Sequence, residues 1–226
     1  YLGSSFAFIS PILAVGATRG LGAAMSGVIV AGVVFLVIAG IIRLVGTGWL
    51  ERVLPPVLVA SVMIVIGVGL SATAAKMALM TSTADGDSVF FATGALVAAL
   101  TLCAAVVFSG MGGVLGTIPI LLAIIVGYLV AISLGLVDLG PVEQAAWIGL
   151  PSISAPRFDV GAIALVAPVA LVTVIEHIGH LLAVGEIVGK DYRPMLPRSL
   201  AGDGISTVIS GFLGGPPTTT YAENIG

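Results

Sequence analysis

Charge is what this sequence has least of. Among 226 residues there are eight Lys or Arg and eleven Asp or Glu, 8% charged against 58% hydrophobic, whereas a soluble domain carries about a quarter charged residues. A water-soluble fold cannot hide that much apolar surface, so lipid must be the solvent for most of it; the mean hydropathy of +1.23 says the same. The net charge of −3 is small and its charges sit in short clusters between apolar runs, which excludes nucleic acid as a partner. Cysteine is almost absent. The lone Cys103 excludes a disulfide framework and a cysteine-based metal site, and its place in an apolar run predicts a small packed side chain. Tyr1 opens the sequence, with no basic stretch or small-residue cleavage site ahead of the first apolar run, so no signal peptide is expected. Residues 221–226 stop inside what reads as an active segment, and the sequence is expected to be part of a longer chain.

Long apolar runs are abundant. A spanning helix needs about 20 apolar residues. Residues 20–42 supply one, and residues 53–75, entered through Pro55 and Pro56, a second. Residues 88–137 contain no charge, and Gly110, Gly112 and Gly113 divide them into two spans at a tight turn. Residues 160–188 form a fifth span, with Pro168 as a kink, and residues 200–213 a shorter apolar helix.

Two stretches break this pattern. Residues 4–11 (Ser-Ser-Phe-Ala-Phe-Ile-Ser-Pro) and 214–221 (Gly-Gly-Pro-Pro-Thr-Thr-Thr-Tyr) are short, punctuated by Gly and Pro, and rich in strand-favouring residues. Each adjoins an apolar run, which predicts extended backbone at membrane depth, tolerated only where protein or a water-filled cavity satisfies its amides. A pair of broken segments in two halves points to a transporter's substrate site. The strands are expected at residues 5–8 and 219–222, close together and facing Glu176.

The connections set orientation. Arg43 and Arg52 flank Gly46-Thr47-Gly48-Trp49, and Lys190, Arg193 and Arg198 crowd the connection after the fifth span. Counting spans puts both on one side, which the excess of positive charge makes cytoplasmic. Trp147, in an acidic connection, is expected at the opposite interface.

Glu176, His177 and His180 follow one long apolar run and Glu223 another. An ionisable group at the bilayer centre costs at least about 2.5 kcal/mol on insertion scales, so such groups are functional candidates. Glu176 and His180, four apart, share one helix face with Thr173; His177 lies about 100° away from Glu176 but is three from His180. Glu-His-Ile-Gly-His is not the zinc-protease His-Glu-x-x-His, and the ligand count argues against a metal. No nucleophile with an orienting group accompanies Glu176 and His180, which argues against an intramembrane enzyme. A carboxylate with an imidazole one turn away can be tuned to exchange a proton near neutral pH.

Residues 1–8 (Tyr-Leu-Gly-Ser-Ser-Phe-Ala-Phe), 46–50 (Gly-Thr-Gly-Trp-Leu), 176–180 (Glu-His-Ile-Gly-His), 204–211 (Gly-Ile-Ser-Thr-Val-Ile-Ser-Gly) and 219–226 (Thr-Thr-Tyr-Ala-Glu-Asn-Ile-Gly) together resemble the nucleobase–ascorbate transporter family, nearest its bacterial uracil permeases. The resemblance runs end to end. It implies an all-α polytopic membrane protein with two short antiparallel strands at membrane depth, a fragment of a fold of two inverted repeats of seven segments. The third to tenth segments are here. Residues 1–45 and 160–226 would belong to a core domain, 46–137 to a gate domain, and 138–159 to an outer interfacial connection.

The resemblance further implies proton-coupled symport of a nucleobase, most simply uracil, into the cell across a bacterial inner membrane. No cofactor or metal is expected. Glu176 and Glu223 would hold the base through their carboxylates, the N–H groups of Phe6 and Ala222 would meet its carbonyl oxygens, Tyr221 would wall the site, and His180 would work with Glu176 in proton coupling. Many uracil permeases have Gly where this sequence has Ala222, so a methyl narrows the pocket. Glu223, rather than the Gln common in purine transporters, favours pyrimidines. The expected partners are the base, a proton, the lipid bilayer and, as a further candidate, a second copy of the chain. The alternatives are a purine permease of the same family and an anion transporter of the same fold, the second opposed by repulsion from two carboxylates.

Overall fold

The structure, a computed structural model, describes residues 2–49, 56–82, 88–147, 149 and 153–221. They fall into two compact units, one of residues 1–66 and 151–225, the other chiefly residues 67–150.

The first unit begins with strand β1 (Leu2–Ser4), a 3-10 turn (Phe6–Phe8), helix α1 (Ile9–Arg19) and helix α2 (Leu21–Val45). Gly20 separates the two helices at φ 87°, a left-handed value open to glycine. Helix α3 (Pro56–Leu79) starts in this unit and continues into the second. After residue 151 come α8 (Val160–Val166), α9 (Val169–Val188), a 3-10 turn (Arg193–Met195), α10 (Leu196–Phe212) and strand β4 (Thr218–Thr220). Pro168 stands between α8 and α9, where its missing N–H and ring interrupt the helix.

Glycine lets α2 and α10 meet backbone to backbone. A Cβ on Gly32 would stand 2.8 Å from the amide nitrogen of Val208 and 2.9 Å from the carbonyl oxygen of Gly204, and one on Gly211 would press on Ile29. Small residues at such crossings are how helices associate in lipid, where no hydrophobic force drives them together. Around this contact lies the unit's core, including Phe8, Val15, Val28, Phe35, Val166 and Leu200.

The C-terminal end of α1 and the N-terminal ends of α2 and α8 are tied together. The N–H of Arg157 donates to the carbonyl of Gly22, and the Arg157 guanidinium to that of Arg19, each at 2.8 Å. Asp159 caps α8, accepting from the N–H of Ala162 at 2.8 Å and from Arg19 Nη1 at 2.8 Å. The Ala162 amide, helped by the Arg19 guanidinium and opposed by partial burial, holds the Asp159 carboxyl below its ordinary range. At another place Arg43, Arg193 and Arg198 line one pocket of about 870 Å³ with Asp191, which brings together three of the five basic residues expected on one face. Arg52 lies outside the described residues.

The second unit contains the rest of α3, a hairpin of β2 (Met80–Ser82) and β3 (Ser88–Phe90), and helices α4 (Ala92–Ser109), α5 (Val114–Thr117), α6 (Pro119–Ser133) and α7 (Gly140–Gln144). Helices α4 and α6 pack at Gly127, where a Cβ would collide with the Thr101 hydroxyl. No residue of α4 is buried, so its apolar surface is turned outward, as lipid or further spanning segments require. Among the described residues, 21–45, 92–109 and 160–188 are helical stretches long and apolar enough to cross a membrane.

Several expectations need correction. The hairpin of β2 and β3 was not foreseen, so the described residues hold four strands rather than two, and the apolar span expected from residue 88 becomes helical only at Ala92. The first irregular stretch is extended at Leu2–Ser4; residues 6–8 turn as a 3-10 helix because the chain is already entering α1. The shorter apolar helix starts at Leu196 rather than residue 200, since Pro197 favours a first helical turn. Cys103 is exposed, not packed.

Candidate functional site

Strands β1 and β4 pair antiparallel, with Leu2 opposite Thr220, Gly3 opposite Thr219 and Ser4 opposite Thr218. The ladder extends one step further through the Ser5 N–H, which donates to the Pro217 carbonyl at 2.9 Å. Three residues per strand cannot hold a ribbon alone. Side chains from α9 and α10 complete it.

On the α10 side, the Thr218 N–H donates to Thr207 Oγ1 at 3.1 Å, and the hydroxyls of Ser206 and Thr218 are in hydrogen-bond contact. Ser210 donates to the Pro216 carbonyl at 2.7 Å, shaping the approach to the strand. On the α9 side, His180 Nδ1 lies 2.9 Å from Thr220 Oγ1. Because strand side chains alternate between faces, Thr218 and Thr220 point to the same side, toward these helices. Thr219 points the other way, and its hydroxyl and that of Ser5 are buried with no hydrogen-bond partner among the described residues.

The aromatic residues at the strand ends meet. The rings of Phe6 and Tyr221 stack, centroids 5.7 Å apart and planes 4° from parallel, and the Tyr221 hydroxyl donates to the Ser4 carbonyl. Gly3 makes room for this arrangement, since a Cβ there would lie 2.5 Å from a Tyr221 ring carbon. Phe6 thus contributes its ring as well as an amide at the start of a helical turn, where N–H groups have no partner inside the helix.

Glu176 is half-buried on α9, one turn before His180, which is buried. Thr173, expected on the same face, turns its hydroxyl back onto the Ala170 carbonyl at 3.1 Å. The structure therefore brings Phe6, His180 and Tyr221 to the β1–β4 pair, with Glu176 on the helix packed against β4. Ala222 and Glu223 lie outside the described residues. Among the described residues no group of His, Cys, Asp and Glu has the makings of a metal site.

Asp203 was missed. The stretch containing it reads as an apolar helix, yet Asp203 is buried and its Oδ2 stands 2.7 Å from His177 Nδ1. The contact is at ion-pair distance but not aligned as a hydrogen bond. A lone carboxylate inside an apolar run was the signal that could have found it.

Residues 1–226, the whole chain, match the family described as a permease family. The chain belongs to it. That makes the chain kin to carriers rather than to enzymes. It is 46% identical to the uracil permease of Bacillus subtilis (strain 168) over 100% of the chain and 54% of that relative. It is 48% identical to the uracil permease of Paenibacillus larvae over 100% of the chain and 55% of the relative. For the uracil permease of Escherichia coli (strain K12) the identity is 42%, over 100% of the chain and 53% of the relative. The chain spans about half the length of the curated relatives it matches.

Proposed function

We propose that this chain is the substrate-binding part of a proton-coupled uracil symporter of a bacterial inner membrane, working by alternating access within a fold of two inverted seven-segment repeats. The observation that carries the reading is the β1–β4 pair, held between α9 and α10 with Phe6 and Tyr221 stacked at its end. The relatives named above as uracil permeases add the substrate. Uracil presents two N–H donors and two carbonyl acceptors on one small ring, so its site must offer acceptors and donors side by side. In this reading Glu176 and Glu223 accept from the ring N–H groups, and the amides of Phe6 and Ala222 donate to its carbonyls. Tyr221 walls the site, and His180 exchanges the coupled proton with Glu176. The core units would be residues 1–45 and 160–226 and the gate unit 46–137, with a second copy of the chain as a candidate dimer partner.

The test is equilibrium binding of radiolabelled bases to the full-length parent, with uptake into proteoliposomes under an imposed proton gradient. Uracil is expected to bind, to accumulate with an inward proton gradient, and to be displaced by pyrimidines better than by xanthine. Glu223→Gln is expected to weaken binding at every pH by roughly 10- to 150-fold, the value of one hydrogen bond to a charged group. Preferential binding of a purine or an inorganic anion would reject the reading.

A further inference from the structure

Among the described residues, His177 and Asp203 are the two buried ionisable groups that the proposed transport chemistry leaves unused, each with a side chain about 98% or more out of solvent. Among the described residues neither ring nitrogen of His177 nor Asp203 Oδ1 has an aligned hydrogen-bond partner, and the 2.7 Å approach of His177 Nδ1 to Asp203 Oδ2 sets the two side chains against each other. Two ionisable side chains in apolar helices are costly to place there. A buried ion pair is seldom more stable than an apolar pair of similar volume. What it offers is direction, one side chain facing another at a fixed spacing.

The place of the pair is informative. His177 precedes His180 by one turn of α9, and Asp203 precedes Ser206 and Thr207 by one turn of α10. His180 reaches Thr220, and Ser206 and Thr207 reach Thr218. The contacts close a circuit: α9 to α10 through His177 and Asp203, α10 to β4 through Thr207 and Thr218, β4 back to α9 through Thr220 and His180. Removing the first link leaves the spacing of α9 and α10 to apolar packing and to their separate contacts with β4.

We propose that His177 and Asp203 are positioning residues for the base site: the contact between their side chains sets the spacing of α9 and α10, and through it where β4 delivers Tyr221 relative to Glu176. Neither residue touches the base. The inference rests on the reading of the site given above.

The experiment measures uracil binding and thermal unfolding of the full-length parent and three variants, His177→Ala, Asp203→Ala and the double His177→Leu/Asp203→Leu. The apolar double variant removes both polar side chains together, leaving neither buried without the other, so it is expected to stay folded with a melting temperature near that of the parent. Its affinity for uracil is expected to fall about tenfold or more, the scale of one lost polar contact. Each single variant is expected to lose about as much affinity as the double, because half a strut positions nothing; coupled residues are non-additive in this way. A folded double variant that binds uracil like the parent would overturn the proposal, since a merely structural pair moves the melting temperature and not the affinity. Single losses that sum to that of the double would overturn it too. If the double variant does not fold, His177→Asn/Asp203→Asn takes its place, keeping a neutral amide link of similar reach. That variant is expected to bind within about threefold of the parent, and a loss as large as those of the single variants would overturn the proposal. A parent that binds no uracil overturns the reading of the site, and this inference with it.

Discussion

His180 Nδ1 and Thr220 Oγ1 stand 2.9 Å apart, joining a helix to a strand forty residues further along the chain. A threonine hydroxyl can donate or accept. The contact therefore suits either tautomer of a neutral imidazole and also an imidazolium, and the hydroxyl can turn to meet a change of protonation. His180→Ala breaks the link from α9 to β4, so it is expected to weaken uracil binding about tenfold, as loss of the His177–Asp203 contact does, and in addition to weaken the dependence of uptake on an inward proton gradient. Thr220→Val, which keeps the shape and removes the hydroxyl, is expected to move the pH midpoint of uptake. Uptake into proteoliposomes across external pH, beside equilibrium binding, checks both. Uptake by His180→Ala that follows an inward proton gradient as the parent's does would show that the imidazole carries no coupled proton.

Gly3 should tolerate no side chain. A valine there would drive the Tyr221 ring off β1 and out of its stack with Phe6. Such aromatic pairs contribute about 0.5–1.5 kcal/mol beyond their burial, so Gly3→Val is expected to weaken uracil binding at least about two- to tenfold, and Phe6→Ala by a similar factor. Titration with labelled uracil measures this directly.

Gly32→Ala should destabilise the fold, because its Cβ would meet, besides the Val208 side chain, the backbone nitrogen of Val208 and the carbonyl oxygen of Gly204 on α10, which cannot rotate away. Overpacking of this kind costs typically about 1–3 kcal/mol. Gly40→Ala is the matched control, on the same helix with nothing within 4 Å of the added carbon, and it is expected to be neutral or slightly stabilising through helix propensity. Thermal unfolding of the two variants in detergent should separate them clearly.

Asp159 gives a pH dependence whose sign can be worked out. Its carboxyl is held below the ordinary value in the folded state, so the stability it contributes is complete above the unfolded pKa of about 3.9 and is lost as pH falls through the lower, folded value. Asp159→Ala is therefore expected to lower the melting temperature at neutral pH, with the gap to the parent closing as the solution is acidified below about pH 4. A gap that stayed constant down to pH 3 would mean that the cap acts through shape rather than charge.

The sequence yields the helices readily, and the reason is physical. In lipid a helix must be apolar for about 20 residues, so residues 21–45 and 160–188 announce themselves, and Pro168 marks the break between α8 and α9. The proximity of the two irregular stretches was also legible, from amides that must find partners at membrane depth. Their exact registers were not. Ser5 and Phe6 have the composition of a strand, but they sit where the chain turns into α1, and that contest is settled by tertiary contacts. The β2–β3 hairpin escaped because Thr81 and Ser82 read as a polar connection and Ser88 as the start of an uncharged span. The His177–Asp203 contact needed the packing of α9 on α10, which no spacing along one chain reveals. Gly3 likewise carries its meaning only once Tyr221 lies across it.

The register of β1 with β4 has a consequence for the order in which the protein is made. Leu2 pairs with Thr220, so the first strand leaves the ribosome almost the whole length of this chain ahead of its partner. Until then its amides have no ladder to join, and they cannot rest unpaired in hydrocarbon. The segment must wait in water, in the insertion machinery or against α2 while α9 and α10 arrive. Contacts so distant along the chain are slow to form. The β1–β4 pair is therefore assembled last among these elements, and a nascent chain arrested before residue 218 should have the helices before it in place and β1 without its partner strand.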